Sequence, residues 1–322
     1  MPLALPKLPP AFICLGGTGV IGFALAGVLR VSGIHFVSVS LSPDARSPGH
    51  DNIRLDFATA PPGALTAALD GVRRTHRVIG ILDVFGCTGD VAADLACAAA
   101  ALRAPVAVLS SCLLYDHDGR APIDETCPLI ATPCPPYQAT KLALEASWRV
   151  GTFPDWLILR AHHILGRGSL LGCIPAHNRD ARLLDIIAAG EPLQLARRGD
   201  VRLSIIHPAD LGAAALHLLT RTGLRRTTVN LAHPTPVRAF DYYARVATEL
   251  GAPLPPIVDF TPDPANFWSV TARDNVFVSA RPEMASFAFT HDLDACIRDA
   301  LSVGPRTYAR QGGFLRARIA GH

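Results

Sequence analysis

The chain of 322 residues predicts an α/β fold: a doubly wound parallel sheet with a smaller C-terminal lobe. Three observations carry the prediction. Strand-length apolar runs alternate with helix-length runs through the first half of the chain. Those strand runs are apolar throughout, as in strands covered by helices on both faces. The first of them feeds a glycine-rich turn, 16–22, which opens into a helix of small apolar residues.

Taken in order, 11–15 is a short buried strand, and 23–29 is a helix that lies on the sheet. Gly33 ends that helix and 34–40 is the second strand. Residues 42–52, rich in Pro, Ser, Asp and Gly, read as a loop. A short strand or turn follows at 53–57, then a helix at 61–69 started by Pro61-Pro62. Further strands are expected at 78–85, 106–111 and 156–160, with helices at 91–102 and 138–150. Asp210 before an apolar run, together with His207, is expected to cap a helix at 211–219. This gives a dinucleotide-type domain over 1–165, rejoined by 201–235. A smaller substrate lobe is expected from 166–200 and 236–322, placed over the carboxyl ends of the strands. Leu170, Leu171, Ile174, Phe267 and Trp268 are candidate walls of its pocket.

Composition narrows the function. Hydrophobic residues make up 49% and charged residues 18%, enough for a large core. A net charge of +3 without a Lys/Arg block argues against nucleic acid as partner. The eight cysteines show neither zinc spacing nor a disulfide framework, so no metal is expected. The first ten residues lack the pattern of a signal peptide, and no apolar run reaches about 18 residues, so no membrane partner is expected. The expected location is cytoplasmic.

The glycines act as a set. The turn must be tight, a pyrophosphate must approach bare backbone, and the helix must sit close to the strand. The helix N-terminus then offers free N–H groups to phosphates. A second motif is Tyr137-Gln138-Ala139-Thr140-Lys141, with Tyr and Lys on one helical face. An ammonium beside a phenol favours the phenolate, and such a Tyr can exchange a proton with a carbinol oxygen near neutral pH. Alone, a Tyr and Lys at this spacing are commonplace. Ser110-Ser111, at the carboxyl end of an apolar strand, add a hydroxyl able to hold a substrate oxygen. The bland alternative is that these serines only finish the strand.

These motifs, in this order, resemble the extended short-chain dehydrogenase/reductase family, also called the NAD-dependent epimerase/dehydratase family. Gly16, Gly19 and Gly22 stand at its GxxGxxG spacing. The run 109–115 resembles its serine strand, and Asp124-Glu125, Pro136-Tyr137, Lys141 and Glu145 resemble its "DE…PYxxxK…E" block. The segments 159–166 and 205–211, and Asn230 at a strand end, also look like family segments. The resemblance implies a Rossmann fold and a nicotinamide cofactor. It implies Tyr137 as general acid/base, Lys141 on the nicotinamide ribose, and Ser111 on the substrate oxygen, with Ser110 as fallback. It implies Gly16, Gly19, Val20, Ile21 and Gly22 around the pyrophosphate and Asp56-Phe57 beside the adenine. It also implies a homodimer packed through 91–102 and 138–150. The substrate would be a small molecule oxidised, reduced or epimerised at a carbinol or carbonyl carbon by hydride transfer.

Departures from the family pattern sharpen this. Ser40 replaces the Asp that holds the ribose hydroxyls in NAD-preferring members, and Arg46 lies nearby in the loop. With no carboxylate to repel a 2′-phosphate, NADP is admitted beside NAD and slightly favoured. Arg46 reads equally well as a solvated loop charge. His163 stands where many nucleotide-sugar enzymes have Asn, and Asp83 ends a strand that is usually apolar or His-bearing there. Both weaken the alternative of a nucleotide-sugar epimerase or dehydratase. His163 is a candidate substrate contact, with His162 facing the other way. No GxSxG elbow supports a serine hydrolase. A non-catalytic dinucleotide sensor is the alternative of another class, opposed by the Ser111, Tyr137 and Lys141 set.

Overall fold

The computed structural model describes residues 8–41, 49–120, 122–131, 135–169, 171, 182–261 and 273–302. In chain order they form β1 (Pro10–Leu15), α1 (Val20–Val31), β2 (His35–Ser40), β3 (Asp51–Arg54), α2 (Ala64–Thr75), β4 (Arg77–Asp83), α3 (Gly89–Leu102) and β5 (Val106–Ser111). Then come α4 (Pro136–Val150), β6 (Trp156–Ala161), β7 (His163–Ile164), α5 (Leu183–Ala188), β8 (Leu193–Leu195), β9 (Arg202–Leu203), β10 (Ile205–Ile206) and α6 (Pro208–Arg221). The chain continues through β11 (Thr227–Leu231), β12 (Val237–Arg238), α7 (Ala239–Glu249), β13 (Ile257–Asp259), α8 (Pro282–Ala285) and α9 (Leu293–Leu301).

Seven strands make one sheet in the order β11-β6-β5-β4-β1-β2-β3, and every pairing is parallel. From β1 the chain winds outward to β3, crosses back to β4 and winds the other way. The reversal lies between β1 and β4, where open sheets of this kind hold ligands beyond the strands' carboxyl ends. The continuous apolar runs have their reason here. Val106 and Val108 of β5 join a core with residues of α2, α3 and α4, while Ala107 and Leu109 join one with α1 and α6. Each such buried Val or Leu contributes about 1.5–3 kcal/mol.

A further apolar cluster gathers Leu165, Leu171, Leu183, Ile187, Tyr242, Val246 and Ile297 with neighbours. Short pairings border it: β7 with β10, β9 with β12 and β8 with β13. Of the expected pocket walls, Leu171 is 2% exposed within this cluster. Leu170, Ile174, Phe267 and Trp268 lie outside the described residues.

Three local expectations are corrected or narrowed. The helix expected at 211–219 starts earlier, at Pro208, whose fixed φ suits the first helical position. His207 alone is its N-cap, its Nδ1 accepting the Ala209 N–H at 3.2 Å. Asp210 is instead buried and accepts the Thr290 and His291 amides. The short strand or turn expected at 53–57 is a strand only to Arg54 and then a turn, because Asp56 accepts the Ala58 N–H at 3.0 Å. The helix expected at 61–69 runs later, over Ala64–Thr75, with its first amides held by Asp94 of α3.

Candidate active site

The glycine turn joins β1 to α1 at the sheet reversal. Gly16 has φ +80°, and a side chain there would meet Val84 Cγ2 at 3.0 Å and the Phe85 amide nitrogen at 3.3 Å. At Gly22 a Cβ would stand 1.9 Å from the Gly17 carbonyl oxygen, so only glycine lets the first turn of α1 lie on the loop before it. Gly19 precedes α1 without a side-chain cap, and the first turn carries no acidic residue. Val20 and Ile21 follow, half-buried. The result is bare backbone with open helix N–H groups and a dipole that favours anions.

Behind the turn, β2 ends in two buried hydroxyls. Ser38 is 0% and Ser40 4% exposed, and neither Oγ has a hydrogen-bond partner among the described residues. No carboxylate occupies position 40. These features fit a dinucleotide: a backbone cradle for pyrophosphate, and unpaired donors at the strand end where a ribose would lie. Arg46 lies outside the described residues. Phe57 is 6% exposed and its ring lies 4.7 Å from that of Phe85, with Asp56 beside it in the turn.

Across the sheet reversal, α4 carries Tyr137 and Lys141 and brings Lys141 to β5. Lys141 Nζ donates to the Leu109 carbonyl at 2.8 Å, which ties the helix to the strand that carries Ser111. Tyr137, one turn earlier, is 51% exposed. Ser111 is 4% exposed, and its Oγ accepts the Leu113 N–H at 3.1 Å.

Ser110 points to the other face of β5. Its Oγ donates to Glu145 Oε1 at 2.7 Å, so its hydroxyl is committed to a buried structural network. Glu145 also receives Arg160 Nε at 2.8 Å and a second Arg160 nitrogen at 2.6 Å. Burial opposes the charge on Glu145, yet the Arg160 hydrogen bonds and charge hold its carboxyl below the usual range. The Arg160 guanidinium lies 4.7 Å from the Tyr115 ring centre, and Tyr115 Oη donates to Asn230 Oδ1 at 2.7 Å. Asn230 donates its backbone N–H to Glu125, which also binds Ser279 and the Ala280 amide. Sequence reasoning placed Glu145, Arg160, Glu125 and Asn230 in family segments but missed that they form one connected network. The available signal was Glu145 one turn past Lys141, with Arg160 at a strand end.

The two histidines separate as strand alternation demands. His162 Nδ1 lies 2.8 Å from the Ser204 carbonyl oxygen and its ring meets Phe277 at 4.8 Å. His163 is 1% exposed, its ring 6.0 Å from Tyr242 in the further apolar cluster. Among the described residues no group of three or more His, Cys, Asp or Glu side chains is set to hold a metal ion. No helix among them is long and apolar enough to cross a membrane.

The model of the NAD dependent epimerase/dehydratase family matches residues 12–232. The chain is 32% identical over 259 residues to a 2′-dehydrokanamycin reductase of Streptomyces kanamyceticus, covering 75% of this chain and 67% of that protein. Its fold is similar to a UDP-glucose 4-epimerase from Stenotrophomonas maltophila with bound NAD and formylated UDP-arabinopyranose (TM-score 0.69, 17% identity, 95% and 100% of the two chains). It is also similar to a dTDP-glucose 4,6-dehydratase from Bacillus anthracis in complex with NAD (TM-score 0.66, 14% identity, 93% and 96%). The chain belongs to the NAD dependent epimerase/dehydratase family, and it is a nicotinamide-dependent oxidoreductase or epimerase of the extended short-chain dehydrogenase/reductase type.

Proposed function

We propose that the chain reduces a ketone on a sugar-like small molecule, with Tyr137 exchanging the proton on oxygen. The observation that carries this is the Lys141–Leu109 hydrogen bond, which seats the Tyr137 helix on the end of the Ser111 strand. Ser111 orients the substrate oxygen, Tyr137 protonates it, and Lys141 reaches the nicotinamide ribose. Gly16, Gly19, Val20, Ile21 and Gly22 surround the pyrophosphate, Asp56 and Phe57 flank the adenine, and Ser40 faces the ribose. The bound nicotinamide supplies hydride chemistry that no side chain can. NADP is favoured slightly over NAD, because a carboxylate is missing at Ser40. Residues 166–200 and 236–322 form the substrate lobe, with His163 supporting its wall from within.

A reductase is preferred to an epimerase because the Streptomyces relative is a 2′-dehydrokanamycin reductase. The test presents NADPH or NADH with 2′-dehydrokanamycin, and separately the oxidised forms with UDP-glucose. Stoichiometric loss of reduced-nicotinamide absorbance with the first supports the proposal. Isomerisation of the second without net cofactor change favours the nucleotide-sugar alternative and overturns it.

The same proposal takes the chain as a homodimer in the cytoplasm. Exposed Ala93, Ala100, Ala139, Ala143 and Ala146 on α3 and α4 give a smooth face for a second copy, with Val150 84% exposed at its edge. Light scattering of the wild type and of Ala143→Glu checks it; a monomeric wild type overturns the dimer.

A further inference from the structure

Asp83 ends β4 and is completely buried. Among the described residues no Lys or Arg hydrogen-bonds to it. Its Oδ1 accepts the Gly86 N–H at 2.9 Å and its Oδ2 the Cys87 N–H at 2.7 Å. The carboxylate thus closes the chain just beyond it into a turn, with Gly86 at φ +92°. A side chain that only finished a strand would not need burial on this scale. Isolated burial of a carboxylate is strongly unfavourable, so its amide donors must offset that cost.

The turn it closes lies against three parts of the site. On one side it walls the glycine turn: a Cβ at Gly16 would press on Val84 Cγ2 at 3.0 Å and on the Phe85 amide nitrogen at 3.3 Å. On another, the Phe85 ring packs on Phe57 at 4.7 Å. On the third, a Cβ at Gly86 would stand 3.6 Å from Lys141 Nζ and 3.4 Å from Leu144 Cδ1. Burial pushes the Asp83 carboxyl above the usual range, while the two amides and the Lys141 charge pull it back. Lys141 therefore feels the carboxylate electrostatically as well as through the turn.

We propose that Asp83 is a positioning residue: its carboxylate holds the 84–87 turn, which sets the glycine turn, Phe57 and Lys141 against one another. The proposal rests on the dinucleotide reading of the site. Its physical logic is registration. Gly16 rides on the β1 side of the sheet reversal and Lys141 on the α4 side, and no backbone pairing links them directly. The Asp83 turn bridges that gap. Asn at position 83 keeps the shape and one acceptor, but turns an amide –NH2 toward a backbone N–H. One hydrogen bond to a charged group is thereby lost and a donor is left facing a donor.

The experiment titrates wild type, Asp83→Asn and Phe85→Ala with NADPH and NADH, following nicotinamide fluorescence well below each protein's melting temperature. Steady-state kinetics are measured on the same proteins. Asp83→Asn is expected to weaken dinucleotide binding about tenfold or more, with kcat falling as well. Phe85→Ala leaves the carboxylate intact and weakens binding severalfold, so the proposal stays testable if Asp83→Asn does not fold. Asp292→Asn is the control. It removes an exposed carboxylate-to-amide contact, the α9 cap on Ala295 at 2.8 Å. That variant lowers Tm and leaves the dissociation constant unchanged. Dinucleotide affinity and kcat equal to wild type in the Asp83 and Phe85 variants overturn the proposal. Failure of the wild type to bind either dinucleotide overturns the functional reading itself.

Discussion

Arg160 at the end of β6 grips Glu145 on α4 through two hydrogen bonds of 2.8 and 2.6 Å, with both side chains 3% exposed. Glu145 lies one turn past Lys141 and two past Tyr137, so this pair fixes the rotation of the helix that carries them. Removing Arg160 alone leaves a buried carboxylate with, among the described residues, only Arg149 for a cation. Arg160→Met is therefore expected to lose about 3–5 kcal/mol of stability. Urea unfolding checks it, with the midpoint falling at an unchanged slope.

Ser110 and Ser111 are neighbours with opposite duties. Ser110→Ala removes a hydrogen bond to a charged, buried acceptor and is expected to cost about 1.5–3 kcal/mol while kcat holds. Ser111→Ala is expected to keep stability within about 1 kcal/mol and to lose kcat. Paired melts and kinetics on the two variants decide; a kcat loss confined to Ser110→Ala reverses the assignment.

Tyr137→Phe keeps the ring and deletes the hydroxyl. The expected result is a fall in kcat of about 10²–10⁴ with dinucleotide affinity retained. Undiminished turnover in that variant removes Tyr137 from the chemistry. Full biological activity with cofactor still bound instead favours a dinucleotide sensor.

Ser40→Asp places a carboxylate at the end of β2, at the proposed ribose site. Repulsion of a 2′-phosphate is expected to weaken NADPH at least about tenfold relative to NADH. Competitive titration of the two reduced dinucleotides gives the ratio, and a ratio equal to wild type shows that position 40 does not face the ribose.

His117 carries a pH signature. Burial, then the Arg273 charge, push its pKa down to about 4, against Phe277 edge-on at 5.8 Å. The unfolded chain takes up this proton near pH 6.5, before the folded one does. The stability it contributes is complete above about pH 6.5 and is lost as pH falls toward its folded pKa. Tm of His117→Gln is thus expected to fall less than that of the wild type between pH 7 and about 4.5. The Asp83 and His207 contributions are common to both proteins and cancel in the comparison. Parallel Tm curves contradict the assignment.

The candidate site is legible in the sequence because its signals are local. A glycine spacing, a proline before Tyr137 and a Tyr–Lys pair one turn apart each need only a few consecutive residues to take effect. His207 and Asp210 show the limit: one proline moved the helix start, leaving the cap to His207, and Asp210 to the Thr290 and His291 amides. Ser110 and Ser111 show another. Strand alternation puts them on opposite faces, but which of them meets Glu145 is decided only once α4 is laid on β5. His163 could be placed against Tyr242 only after α7 had packed on the short strands.

By itself, then, the sequence determined the doubly wound sheet and the glycine turn and named the candidate hydroxyl, phenol and ammonium, because periodicity and motif spacing act over one turn or one strand. The tertiary structure alone decided that Ser110 serves Glu145, that Arg160 locks the Tyr137 helix and that the Asp83 turn bridges the glycine turn to Lys141. Those partners come from distant stretches of chain and meet only where strand order and helix packing bring them together.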